Sequence, residues 1–354
     1  MLNEYSTIEK VFHHVALNNG FVKKMSFDID CMVSGYNTDV EARPHVFISG
    51  LARAGTTILM KTLYDTDRFV STTYRDMPFV LMPNLWKLIS KHSQKEAVLT
   101  SRAHGDGIEI SYDSPEAFEE IFWLTFCRQE YIRERGIIPH EVDSEQLDLF
   151  RHYVYNLIHS SKCQERTLYI SKNNNNIIRL PSIRKAFPNS IILVPFRDPL
   201  QHAISLYSQH QKFSAIQDQD QFALKYFNWL GHFEFGLGHK PFLFGERIDL
   251  LSENIVANHI DYWLGIWINT YEYLLNNNQG FDYHFVCFET LCTEPVRVLR
   301  NIHRKLDIEF DSSVGDQIKS APSTKENQEA SSELLSIAMS IYNELLAKTE
   351  TFSK

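Results

Sequence analysis

Three things are missing from this chain: a long apolar run, an excess of basic residues and a paired set of cysteines. No uninterrupted apolar stretch approaches the ~18 residues of a membrane span, so none is expected. Residues 1–30 carry charge throughout and lack an apolar centre, so no signal peptide is expected and the expected compartment is cytoplasmic. The five cysteines, Cys31, Cys127, Cys163, Cys287 and Cys292, are scattered and odd in number. They form no CxxC or Cys/His spacing, which points to reduced thiols and to no bound metal. A formal charge of −9 argues against a protein whose main task is gripping nucleic acid. It leaves room for a small anionic ligand, because a few Arg and Lys can converge locally. Internal repeats and low-complexity tracts are absent too; the run Asn173–Asn176 is too short to count. What remains is ordinary globular composition, 44% hydrophobic and 22% charged over 354 residues. Such a chain can bury a sizeable core without a disulfide staple. Its 13% aromatic content is mostly core material, with some residues free to wall a pocket.

Hydrophobic periodicity organises the chain. Residues 1–43 form a helical lead-in. His45–Ser49 is a short β-prone run leading straight into glycine, and Thr56–Asp65 follows with helical spacing. Further strands are predicted at Arg166–Ser171, Ile191–Phe196 and Tyr283–Phe288. Between and after them, helices are predicted at Ile178–Phe187 (despite Pro181), Pro199–Gln211 and Pro295–Leu306. Strands alternating with helices predict an α/β fold, a phosphate-loop three-layer architecture with a central parallel sheet. Residues 100–165 and 213–280 read as helical insertions. The expected organisation is an α/β domain over 44–310 and a C-terminal helical segment over 311–354, packed on the core.

Gly50-Leu-Ala-Arg-Ala-Gly55-Thr56-Thr57 has two glycines four residues apart, between a strand and a helix. Glycines permit the tight turn, and amides at the helix N-terminus then face an anion. A nucleoside triphosphatase loop would place Lys where Thr56 stands. Here the cation lies inside the loop, as Arg53. A second constellation begins at the end of a buried strand, where Arg197 precedes Asp198-Pro199 and a helix. Ser205 lies about two helical turns on. An Arg fork and a hydroxyl converging at the ligand edge of a parallel sheet can hold a phosphate. Read alone, the pair is equally a helix-start ion pair and a surface serine.

The run ISGLARAGTTIL resembles the 5′-phosphosulfate loop of sulfotransferases that use 3′-phosphoadenosine-5′-phosphosulfate (PAPS). Arg53, Ala54, Gly55, Thr56 and Thr57 match its positions. Arg rather than Lys is closer to the bacterial, carbohydrate and tyrosylprotein branches. Arg197 and Ser205 match that family's 3′-phosphate signature. Residues 287–308, with Glu289, Leu291, Pro295 and Leu306, resemble its late structural stretch. The resemblance implies PAPS as co-substrate, no metal, and a small-molecule or glycan acceptor, with carbohydrate the expected class.

Sulfuryl transfer needs a proton acceptor and cations on the leaving oxygen. Arg53 and Lys172 are the expected cations, Lys172 matching the family's strand-end lysine. The cytosolic branch has its catalytic His two residues later; here that position is Asn174, so the base must differ. In the carboxylate-using branches the base follows the first helix, which makes Asp76 the candidate. Its alternative role is a helix cap or a pair with Arg75. His104 and Asp106, in a glycine-punctuated loop, are the reserve candidates. Ser114-Pro-Glu-Ala-Phe-Glu-Glu120 reads as a plain helix start, Ser114 the cap and Pro115 the first residue. Two other readings stand beside the enzyme: a phosphate-loop kinase or triphosphatase, and a nucleotide-binding relative without turnover.

Overall fold

The computed structural model describes residues 6–90, 100–101, 109–110, 113–245, 257–278, 283–312, 315, 318 and 330–352. Two helices, α1 (Thr7–Asn18) and α2 (Gly20–Ser34), precede the sheet, so the lead-in holds a helical pair. The alternation opens with β1 (Val46–Ile48), α3 (Thr56–Tyr64), β2 (Phe69–Val70) and α4 (Pro83–Ser90). A short antiparallel pair, β3 (Thr100–Ser101) and β4 (Glu109–Ile110), follows. Then come α5 (Glu120–Phe126), α6 (Arg128–Tyr131), α7 (Ser144–His159), β5 (Leu168–Lys172) and α8 (Leu180–Ala186). The chain continues through β6 (Ile191–Phe196), α9 (Pro199–Gln219), α10 (Gln221–Leu230) and α11 (Ile260–Asn276). It ends with β7 (His284–Cys287), α12 (Phe288–Thr293), α13 (Pro295–Leu306) and α14 (Ser332–Phe352).

Five strands form one parallel sheet in the order β2-β5-β1-β6-β7. Parallel neighbours need crossover connections, which is why helices cover both faces. The strands are accordingly buried throughout, and β1 is apolar at every residue. Its alternation splits the core in two. Val46 and Ile48 pack with Leu59, Met60 and Leu63 of α3 and with Leu299 and Ile302 of α13. Phe47 points the other way, onto Phe150 of α7 and Phe187. These are the three layers predicted from the alternation. The unforeseen strand β2 is two residues long, too short for a periodic signal.

Local chemistry explains where elements start. Pro181 falls in the first turn of α8, where its missing N–H is not needed. Before it, Asn174–Arg179 coil as a tight 3-10 turn, so the predicted helix at 178 starts two residues late. Pro199 opens α9, capped by Asp198 through the Gln201 amide, and α9 outruns its expected end at Gln211. Helix α14 packs against α11, β7 and α9. Among the described residues, no helix is long and apolar enough to cross a membrane.

Candidate active site

Register brings the chemistry to one edge. Ile48 stands opposite Lys172 on β5 and Leu193 on β6. The loop after β1, the end of β5, Arg197 after β6 and Phe288 after β7 therefore share the C-terminal edge, where parallel sheets bind ligands.

The loop itself is tightly seated. A Cβ on Gly50 would lie 2.7 Å from the Pro195 carbonyl oxygen of β6. Gly55 caps α3 at φ +88°, and a Cβ there would meet the Phe288 ring at 2.6 Å. Arg53 takes φ +72°, unusual for a side-chain-bearing residue and worth about 1–2 kcal/mol of strain. His202 on α9 braces the turn: its Nε2 lies 2.8 Å from the Ala52 carbonyl oxygen. Burial pushes His202 down to about 3, so the ring is neutral and Nε2–H donates.

Arg53 joins the two phosphate motifs, its Nε donating to Ser205 Oγ at 3.3 Å. Arg197 lies over the Phe288 ring at 5.1 Å. Burial lowers its guanidinium from the ordinary value, against Glu289 and Asp198, which favour the charge. Glu289 also accepts the Asp198 amide at 3.0 Å, and Tyr342 of α14 donates to its other oxygen. The late stretch read as structural thus braces the Arg197 turn.

Lys172 is 8% exposed, and its Nζ lies 3.9 Å from Glu116 Oε1. Glu116 is itself buried; it accepts Tyr74 OH at 2.7 Å and the Ala117 amide at 3.0 Å. Sequence reading missed this carboxylate because Ser114–Glu120 looks like a helix start. The structure corrects that: α5 begins only at Glu120. Before it, Pro115 forms an antiparallel bridge with Thr73, and the Glu116 amide donates to the Thr72 carbonyl at 2.9 Å. This extended pairing holds Pro115 and Glu116 out of the helix.

Asp76 sits elsewhere. Its Oδ2 accepts the Thr73 amide at 2.7 Å and the Thr73 hydroxyl at 3.0 Å, capping the Tyr74–Asp76 turn. Its Oδ1 is buried without a hydrogen-bond partner. Burial raises its carboxyl above the ordinary range, against Lys87 and the Thr73 bonds. Arg75 pairs with Asp113 rather than with Asp76. His104 and Asp106 lie outside the described residues.

The Asn run after Lys172 is a fastening. Asn173 donates to Glu119 and Glu120, and Asn176 to Glu119. Asn175 donates to the Gly231 carbonyl, and Asn174 to Glu234 at 2.8 Å. Beneath them Arg179 grips Glu120 through both guanidinium nitrogens, sandwiched by Trp123 and Tyr131. Glu234 is held down at about 2; burial opposes this, but His232, Lys172 and Asn174 outweigh it. A cleft beside the loop is lined by Leu51, Ala52, Asn175, Phe233, Glu234 and Trp263.

The Gly50–Thr57 loop, which lacks the triphosphatase lysine, thus meets Ser205 of α9 through Arg53 at the C-terminal edge of the sheet. The sulfotransferase family matches residues 44–234, a little over half of the chain. The chain belongs to the sulfotransferase family. No curated protein matches it in sequence. Among solved structures it is similar to a sulfotransferase of Mycobacterium tuberculosis, at 12% identity and TM-score 0.51, covering 96% of this chain and 87% of that one. A sulfotransferase of Mycobacterium avium is similar too, at 12% identity and TM-score 0.50, covering 98% and 87%. At such identity the likeness extends to the fold.

Proposed function

We propose that this sulfotransferase moves a sulfuryl group from PAPS to an acceptor hydroxyl, with Glu116 as the proton acceptor. The observation that supports the donor assignment is the Arg53–Ser205 contact, which brings the Gly50–Thr57 loop to the helix that carries Ser205. A ligand there meets the loop amides at one phosphate, and Arg197 with Ser205 at another. A triphosphate would find no loop lysine.

In the transfer, the acceptor oxygen attacks sulfur and the bond from sulfur to the bridging phosphate oxygen breaks. The electron pair leaves with adenosine 3′,5′-bisphosphate, and the acceptor proton passes to Glu116. Lys172 neutralises the charge growing on the bridging oxygen. Glu116 lies 3.9 Å from Lys172 at the same sheet edge, which supports a base and a cation serving one reacting centre. Asp76, spent on its cap, is the poorer candidate. Carbohydrate is the acceptor class carried over from the family resemblance, and the acceptor panel below tests it.

The test is transfer of radiolabelled sulfate from PAPS to a panel of glycans, phenols and peptides. Glu116→Gln should lower turnover about 100-fold or more with bisphosphate affinity unchanged. Asp76→Asn should keep turnover and lose stability. The opposite pattern returns the base to Asp76, and tight preference for ATP overturns the donor.

A further inference from the structure

Away from the sheet edge, three ligand-type side chains meet where α5 gives way to α6. The Cys127 thiol, a Glu130 carboxylate oxygen and a His140 ring nitrogen all lie within 4.8 Å of one another. We propose that they form a binding site for a divalent transition metal, zinc being the ion that best suits the donor set.

The local structure brings them together by two short devices. Cys127 ends α5 and caps α6, and Glu130 lies three residues on, so both project from one helical face. A tight hairpin then returns the chain: Ile132 bridges Ile137, and the Ile138 amide donates to the Tyr131 carbonyl. That return lays the His140 ring on Tyr131, centroids 5.0 Å apart and planes within 18°.

His140 supplies the independent observation. Both its ring nitrogens are buried, and neither has a hydrogen-bond partner. Buried polar atoms are almost always paired, and an ion held with the thiol and the carboxylate would take up one of the two orphaned ring nitrogens. The donors are chemically apt, since thiolate, imidazole and carboxylate together favour zinc in a tetrahedral setting. Three protein ligands leave the fourth position to water. Zinc bonds of about 2.0–2.3 Å set ligand atoms roughly 3.3–3.8 Å apart, so the side chains need to draw in by about 1 Å.

Charge and support agree. A thiolate and a carboxylate neutralise a divalent ion, and the thiol proton leaves to solvent as the metal binds. Of the two guanidiniums that act on His140, Arg179 is neutralised by Glu120 and Arg133 donates to the Gln129 and Glu130 carbonyls. Gln146, in the first turn of α7, donates to Glu130 Oε1 at 2.5 Å and so orients the carboxylate. The expectation of no metal rested on Cys/His spacing in the sequence. This set escapes it because ten residues and a hairpin separate Glu130 from His140.

Cobalt(II) is the probe, titrated into the full chain after chelator treatment. One equivalent should bind, with a thiolate-to-cobalt charge-transfer band, tetrahedral visible bands and a raised melting temperature. Zinc should displace it. Cys127→Ser and His140→Ala should lose the band, while Cys163→Ser, at an exposed thiol, should keep it. Gln146→Ala, which removes no ligand, should bind about 10-fold more weakly, which keeps the test sound if the His140 variant misfolds. No band up to millimolar cobalt, or a band that survives Cys127→Ser, overturns the proposal.

Discussion

At the residue scale the site is a set of charges whose partners decide their use. Arg197→Ala should weaken adenosine 3′,5′-bisphosphate by ~1.5–3 kcal/mol, the usual worth of a charged hydrogen bond. Calorimetric titration checks this; unchanged affinity removes the 3′-phosphate assignment. Glu234 makes a pH prediction. Its carboxyl falls from 4.5 to about 2 on folding, because His232, Lys172 and Asn174 favour the charge more than burial disfavours it. A depressed carboxylate adds stability that is fully present above the unfolded value and lost as pH falls through the folded one. Wild type should therefore exceed Glu234→Gln by at most about 3 kcal/mol near neutrality. That gap should shrink between pH 4.5 and about 2. Denaturant midpoints for both proteins across that range measure it, and a pH-independent gap would refute the ionised pair.

At the scale of elements, the loop between β1 and α3 is fitted from three sides. Pro195 of β6 crowds Gly50, Phe288 crowds Gly55, and His202 of α9 holds Ala52. Gly55→Ala adds a Cβ at positive φ and against an aromatic ring at once. It should destabilise by at least about 1–2 kcal/mol and abolish nucleotide binding, seen by melting and titration together. Retained affinity would show that the loop is not the anion site. Element identity was largely legible beforehand: Pro295–Leu306 was predicted to the residue, and β1, β5, β6 and β7 within two residues at each end. β1 and β6 are continuous apolar runs, and such runs announce themselves locally. Ser114–Glu120 misled because cap, proline and acids are all present, while Thr72 and Thr73 claim the backbone instead.

Across the whole molecule, the buried Arg179–Glu120 pair ties the insertion helices to the loop that follows β5. Glu120 and its neighbour Glu119 receive Asn173 and Asn176, next to Lys172. Arg179→Met leaves Glu120 charged and buried, and should cost about 3–5 kcal/mol. The double variant with Glu120→Leu should recover most of that loss in chemical denaturation. A double variant no better than the single would place the energy in the ring sandwich with Trp123 and Tyr131.

The sequence by itself determined the parallel sheet, the glycine loop between β1 and α3, and the placing of Arg197 and Ser205 at the end of β6 and on α9. Each is written in neighbouring residues, as an apolar run, a glycine spacing or two turns of one helix. Tertiary structure alone decided which carboxylate faces Lys172. Glu116 reaches it from a segment 56 positions earlier, pinned by hydrogen bonds to Thr72 and Tyr74. Asp76, the nearer guess by motif, is turned inward by its own cap. Backbone hydrogen bonding between distant segments is invisible to local pattern, and here it seats Glu116 beside Lys172.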